Sequence, residues 1–350
     1  MVDWLAGKRV RGTSSERTPL GVTLGGTGVG GWVELGRTTL GSAGDSIDVT
    51  SLADKRYYMV LDYSLASSTI DSYTQINGDT GSNYSQRRSI DGGTDTTNTS
   101  LTYQDAVFSS GVAVPHFGVR YIANYASKEK LTIGHYVRQN TAGAANAPNR
   151  TEIVSKWANT SNAINRINTQ NSSGGSFATG SEVVVLGWDP ADSHTNNFWE
   201  ELASATGTSC ASMSFTAKKY LWIQGYMETD TGAIGMRFGN STLDSGSNYA
   251  QRYQSNGAAD ATDVNVSNDG TWTATTPIFY NIFMINNASN EKLILTHLAR
   301  QSTAGATTAP LRVESAWKWV NTSNQADILG FIATTGTLQS NCVAKVWGAD

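Results

Sequence analysis

The chain has 350 residues, enough for about two domains at roughly 150 residues each. Its net charge is -4 and only 15% of its residues are charged, against about 25% in an ordinary soluble domain. This balance argues against a nucleic-acid polyanion as the main partner, leaving a local patch on a packaged genome as the lesser reading. No run approaches the roughly 18 apolar residues of a bilayer span, so direct nucleic-acid contact is not favoured and membrane insertion is not expected.

Residues 1–31 read as an extended N-terminal arm. It carries Trp4, Lys8, Arg9, Arg11 and Arg17 and ends in the glycine-rich run Gly21–Gly31. The arm lacks the roughly 7–15-residue apolar core of a secretory signal, so synthesis in a host cytoplasm is expected. Trp32-Val-Glu-Leu35 then opens a segment that the chain repeats. Tyr57–Tyr63 reads as a buried strand, Asn77–Gly81 and Asp91–Asp95 as turns, and Lys130–Arg138 as a strand of period two. In that strand Leu131, Ile133, His135 and Val137 share one face.

The second pass begins near Trp199-Glu-Glu-Leu202. Residues 126–162 align without a gap onto 288–324, and more than half of the positions are identical. Outside that block, Gly81-Ser-Asn-Tyr84 answers Gly246-Ser-Asn-Tyr249, and Pro115-x-Phe117 answers Pro277-x-Phe279. A period this long denotes tandem copies of one domain rather than a solenoid. The predicted fold is all-β: two tandem homologous jelly-roll or β-sandwich domains, residues 32–190 and 191–350, behind the arm. The join from Pro190 to Ala203 holds the best helical signal, one turn.

Apolar positions drift between the copies while polar ones persist. Ile133 becomes Leu295 and Ile153 becomes Ser315, but His135/His297, Arg138/Arg300, Arg150/Arg312 and Glu152/Glu314 are kept, as is Lys156/Lys318. Cores tolerate swaps of similar volume, whereas a buried polar group that loses its partner costs about 1–3 kcal/mol, so the eight histidines, arginines and glutamates of these pairs are the candidate repeated structural network. If the two runs form a hairpin, Arg138 is expected to pair with Glu152. His135 with Glu152 is the only acid–base pair that invites a catalytic reading, and a structural ladder cap explains it more simply. No catalytic or cofactor residue is assigned, and no cofactor or metal is expected. The Asp91–Asp95 turn lacks the ligand density of a calcium loop. Cys210 and Cys342 occur in the second copy alone and are expected to be buried free thiols.

Trp4-Leu-Ala-Gly-Lys-Arg-Val-Arg-Gly-Thr-Ser-Ser-Glu-Arg17 resembles the opening of structural proteins encoded by marine tailed phages and related environmental viruses. Lys156-Trp-Ala-Asn-Thr-Ser161 and Phe177-Ala-Thr-Gly-Ser181 leading into Val185-Leu-Gly187 resemble their domain ends. The second copy departs there, with Thr335-Gly-Thr337 and Trp347 before Gly348. The resemblance implies a virion structural protein, located in the particle and without enzymatic role. As a capsid, decoration, fibre or collar component it is expected to form a homo-oligomer, a trimer being favoured, and to contact other virion proteins. A carbohydrate-binding module that recognises a host-surface glycan is the first alternative, and a polysaccharide-degrading enzyme the second. Deleting residues 1–31 is expected to leave the sandwiches folded and to abolish attachment; circular dichroism and incorporation of the truncated chain into particles check this, and normal incorporation ends the arm reading.

Overall fold

The structure is a computed structural model that describes residues 31–107, 113–190, 192, 197–268 and 272–350. The predicted arm, with Trp4, Lys8, Arg9, Arg11 and Arg17, lies outside the described residues except for Gly31. The first half of the chain runs β1 (Val33–Thr39), β2 (Ser46–Val49), β3 (Tyr57–Ser64), β4 (Ser72–Ile76), β5 (Tyr84–Ile90), β6 (Thr96–Leu101), β7 (Gln104–Val107), β8 (His116–Ala123), β9 (Lys130–Arg138), β10 (Asn149–Trp157), β11 (Ile167–Asn171) and β12 (Glu182–Trp188). The second runs β13 (Glu200–Thr206), β14 (Met213–Ser214), β15 (Tyr220–Met227), β16 (Ala233–Asn240), β17 (Thr242–Leu243), β18 (Tyr249–Ser255), β19 (Ala261–Val266), β20 (Trp272–Thr273), β21 (Ile278–Ile285), β22 (Lys292–Arg300), β23 (Leu311–Trp319), β24 (Ile328–Ala333) and β25 (Val343–Ala349).

The protein is all-β, built of antiparallel sheets in the manner of β-sandwiches. The larger sheet of the first half has the order β1-β12-β3-β8-β9-β10-β5-β6, and that of the second has β13-β25-β15-β21-β22-β23-β18-β19. Strand for strand these orders correspond. A smaller sheet covers one face of each: β2-β11-β4-β7 in the first half and β14-β24-β16-β17, with β20 on β16, in the second.

Alternation of side chains sends each large sheet into two different cores. Tyr58 and Val60 of β3 face inward, against Ile47, Ile76 and Ile167 of the small sheet. Met59, Leu61 and Tyr63 of the same strand face outward, into a cluster shared with Phe283, Leu293 and Leu295 of the second half. Trp199, at the join, is fully buried in that shared cluster, and the Phe198 amide donates to the Trp32 carbonyl at 2.7 Å.

Much of what the copies retain is turn chemistry. Asn159 Oδ1 accepts from the amides of Ser161 and Asn162, and Asn321 Oδ1 from those of Ser323 and Asn324, so each Asn-Thr-Ser-Asn is an Asx turn. The amides of Gln139 and Gln301 donate to the carbonyls of Pro115 and Pro277, both at 3.0 Å. Trp157 and Trp319 are core residues whose indole N–H groups donate to Asp79 (2.6 Å) and Asp244 (2.8 Å).

Two expectations are corrected. Glu200–Ala203, read as part of a helical turn, opens β13 and pairs with β25, because a first strand beside a last strand closes the sheet edge. Arg138 and Glu152 do not pair. In the β9–β10 register Glu152 lies opposite His135, three residues from Arg138, and an odd offset puts the two side chains on opposite faces. Arg138 donates instead to Asn149 at 2.6 Å. Cys210 and Cys342 are free and buried. Substituting Trp157→Ala or Trp319→Ala is expected to cost about 3–5 kcal/mol each, by loss of a buried aromatic and its cavity; urea unfolding followed by fluorescence measures both, and a cost under about 1 kcal/mol contradicts their core role.

Candidate functional site at the junction of the halves

The retained polar residues converge where the large sheets of the two halves meet. β9 and β10 approach β22 and β23, and register places His135 beside Glu152 and His297 beside Glu314. Across the junction each residue meets its own counterpart. His135 Nδ1 and His297 Nε2 are 3.2 Å apart, and Glu152 is hydrogen-bonded to Glu314. Arg150 lies among them. Its guanidinium binds Glu152, approaches Glu314 at 3.7 Å, and makes a bidentate pair with Asp260 at 2.8 and 3.0 Å. Arg312 reaches Glu314 from the rim at 3.6 Å. Arg138 and Arg300 stand apart; Arg300 donates to the Thr273 carbonyl at 3.0 Å. Of the eight predicted network residues, the structure brings six together.

Burial sets the protonation of this cluster. Desolvation holds His135 down to about 3, helped by the neighbouring His297 and Arg150, and desolvation also lowers His297. Glu152 is pushed up to about 8 by burial and then by its hydrogen bond to Glu314, against the pull of Arg150. Two neutral imidazoles, a Glu152 carboxyl that keeps its proton beside Glu314, and a guanidinium set among the acids form a closed polar cluster. The ligand atoms of His135, Glu152 and His297 lie within 4.8 Å of one another. A tetrahedral zinc separates its nitrogen ligands by about 3.3 Å, so the histidines have the spacing to hold one. Arg150 already supplies the positive charge that such an ion would bring. The cavity here is about 10 Å³, room for one water or ion and far too small for a sugar ring.

A second layer of polar contacts escaped the sequence reading. Tyr220 donates to Glu182 at 2.7 Å and Lys219 at 2.9 Å. The loop after β9 docks on the second half: Lys318 Nζ donates to the Thr141 carbonyl (2.6 Å) and pairs with Glu291 (3.1 Å), and Arg252 Nε donates to the Pro148 carbonyl (2.9 Å). Glu129/Glu291 was a visible signal, since both are retained in the aligned block. The carboxylates of Asp91, in the turn considered for calcium, are taken by Asn149, the Arg150 amide and Arg252.

No family model matches this sequence, and no curated protein does. Among solved structures, human GIVD cytosolic phospholipase A2 is similar at 7% identity and a TM-score of 0.11, over 85% of this chain and 33% of that one. The chain spans about a third of that protein's length.

The cluster predicts a pH optimum for the junction. Unfolded histidines bind protons below 6.5 and the folded ones resist this, His135 down to about 3, so acid destabilises the contact. Folded Glu152 keeps its proton up to about 8 and unfolded Glu152 only up to 4.5, so rising pH between these values destabilises it too. Between 4.5 and 6.5 His135 and Glu152 offset one another and the lowered His297 tips the balance, so the cluster contributes most near pH 6.5. Thermal unfolding of the wild type and of Glu152→Gln across pH 4 to 9 tests this; the variant is expected to lose the alkaline decline, and two parallel profiles contradict the assignment.

Proposed function

We propose that this chain is a structural component of a virus particle, of the capsid, decoration, fibre or collar kind, working as a homo-oligomer in contact with other virion proteins. The observation that supports assembly is the outer face of the large sheets. It is apolar enough to bury a core between the halves, yet Leu131, Ile133 and Val154 of the first half and Tyr226, Phe279 and Val343 of the second remain exposed on that face. Grouped exposed apolar residues mark interaction surfaces. The polar cluster beside them is closed and internally hydrogen-bonded, which suits a rigid joint better than a reaction site. The particle assignment itself rests on the resemblance of the sequence to virion proteins. Purified full-length protein is expected to form a discrete oligomer, a trimer being favoured, in mass photometry and negative-stain images. A monomer throughout the micromolar range removes the assembly reading.

One feature favours a second reading, glycan recognition. A depression of about 510 Å³ is lined by Trp32, Tyr57, Tyr121 and Trp188, and the Tyr57 and Trp188 rings stack at 5.5 Å. Aromatic faces of this kind stack on sugars. A glycan array without hits ends that reading.

A further inference from the structure

The halves meet through unlike flanks of corresponding sheets. The first half contributes the flank of Tyr63, Phe117 and Val137, and the second contributes the flank of Phe283, Leu293 and Leu295. In the aligned sequence Leu293 answers Leu131, yet Leu293 is 0% exposed and Leu131 57%. Likewise Phe279 answers the buried Phe117 and is open to solvent. A two-fold contact would cover both flanks of both halves at once. This one brings like to like at its centre, His135 to His297 and Glu152 to Glu314, but closes on one side alone, and it leaves one unused copy of each flank on the molecule.

The polar rim repeats the same imbalance. The loop after β9, with Arg150, is held by Glu291, Lys318, Arg252 and Asp260 of the second half. All four receptor residues have identical counterparts in the first half: Glu129, Lys156, Arg87 and Asp95. Among the described residues they hold no loop there and pair with each other, Lys156 with Glu129 at 2.8 Å and Arg87 with Asp95 at 3.6 Å. The Asp95 side chain is 50% exposed where that of Asp260 is 2%. The corresponding donor loop, Thr303–Pro310, and Arg312 after it are also exposed. The unused plug and the unused socket therefore sit on one chain and match in both apolar surface and charge.

The geometry points to a head-to-tail contact between two copies of this chain. The Phe279 flank and Thr303–Pro310 loop of one copy seat on the Leu131–Ile133 flank of the next. Arg312 then pairs with Asp95 of the neighbouring copy as Arg150 pairs with Asp260 within the chain. Lys156 and Glu129 take the loop backbone as Lys318 and Glu291 do. Two elements are not repeated: the His135–His297 and Glu152–Glu314 contacts are already made within the chain, and Val343 stands where Glu182 accepts from Tyr220 and Lys219, so the contact with Tyr57 is apolar there. This contact deepens the assembly reading and rests on it.

The test uses Asp95→Arg, Arg312→Asp and Ile133→Glu in the full-length chain, with sedimentation velocity and mass photometry as readouts. These positions lie on the surface, and circular dichroism verifies folding. Each variant is expected to weaken self-association at least about tenfold, the scale of a lost interfacial charge pair. A one-to-one mixture of Asp95→Arg with Arg312→Asp is expected to restore association that neither variant shows alone. The intact arginine of one meets the intact aspartate of the other and the two introduced charges pair as well, so the variants alternate along the assembly. An oligomer that none of the three variants weakens places the contact elsewhere and leaves the assembly reading standing. A wild type that is monomeric at every concentration overturns both. So does glycan bound on the Leu131 flank of a chain that does not self-associate.

Discussion

A sheet with two apolar faces must have both covered, and this requirement organises the molecule. In each half the inner face of the large sheet is closed by a small sheet of its own. The outer face has no such cover within its half. Part of it is buried against the other half, where Leu61, Phe117, Leu293 and Trp199 lose essentially all contact with water. Each such side chain contributes about 1.5–3 kcal/mol of hydrophobic stabilisation, so the shared cluster is a core in its own right.

The charged groups at the junction select its register more than they strengthen it. A buried ion pair gains little over apolar groups of the same shape, but a broken one leaves a charge stranded at a cost of about 3–5 kcal/mol. Arg150 between Glu152, Glu314 and Asp260 therefore penalises any sliding of one sheet over the other. The same holds for Glu182, which receives Tyr220 and Lys219. Where His135 meets His297 and Glu152 meets Glu314, like groups are tolerated because burial keeps the imidazoles neutral and one carboxyl protonated.

The candidate network was legible in part, for a definable reason. Its members are polar groups with partners, and such groups resist drift between copies while the oily positions around them change. Retention alone could not separate partners from neighbours. Arg138 was retained with Glu152, but an odd strand offset sends the two to opposite faces. Asp260 and Arg252 lie outside the closely matching block, and their role is visible only when the loop after β9 is seen resting on them.

Period-two alternation, Asx turns at Asn159 and Asn321, and the Gln139–Pro115 and Gln301–Pro277 bonds depend on residues close in sequence or on adjacent strands. The all-β class and its recurrence could accordingly be read from residue order alone. Which apolar stripe is covered could not. Leu131 and Leu293 occupy the same place in the same kind of strand, one in water and the other in a core. That difference comes from how one rigid half is placed against the other. The placement depends on complementarity summed over residues far apart in the chain, to which no local pattern is sensitive.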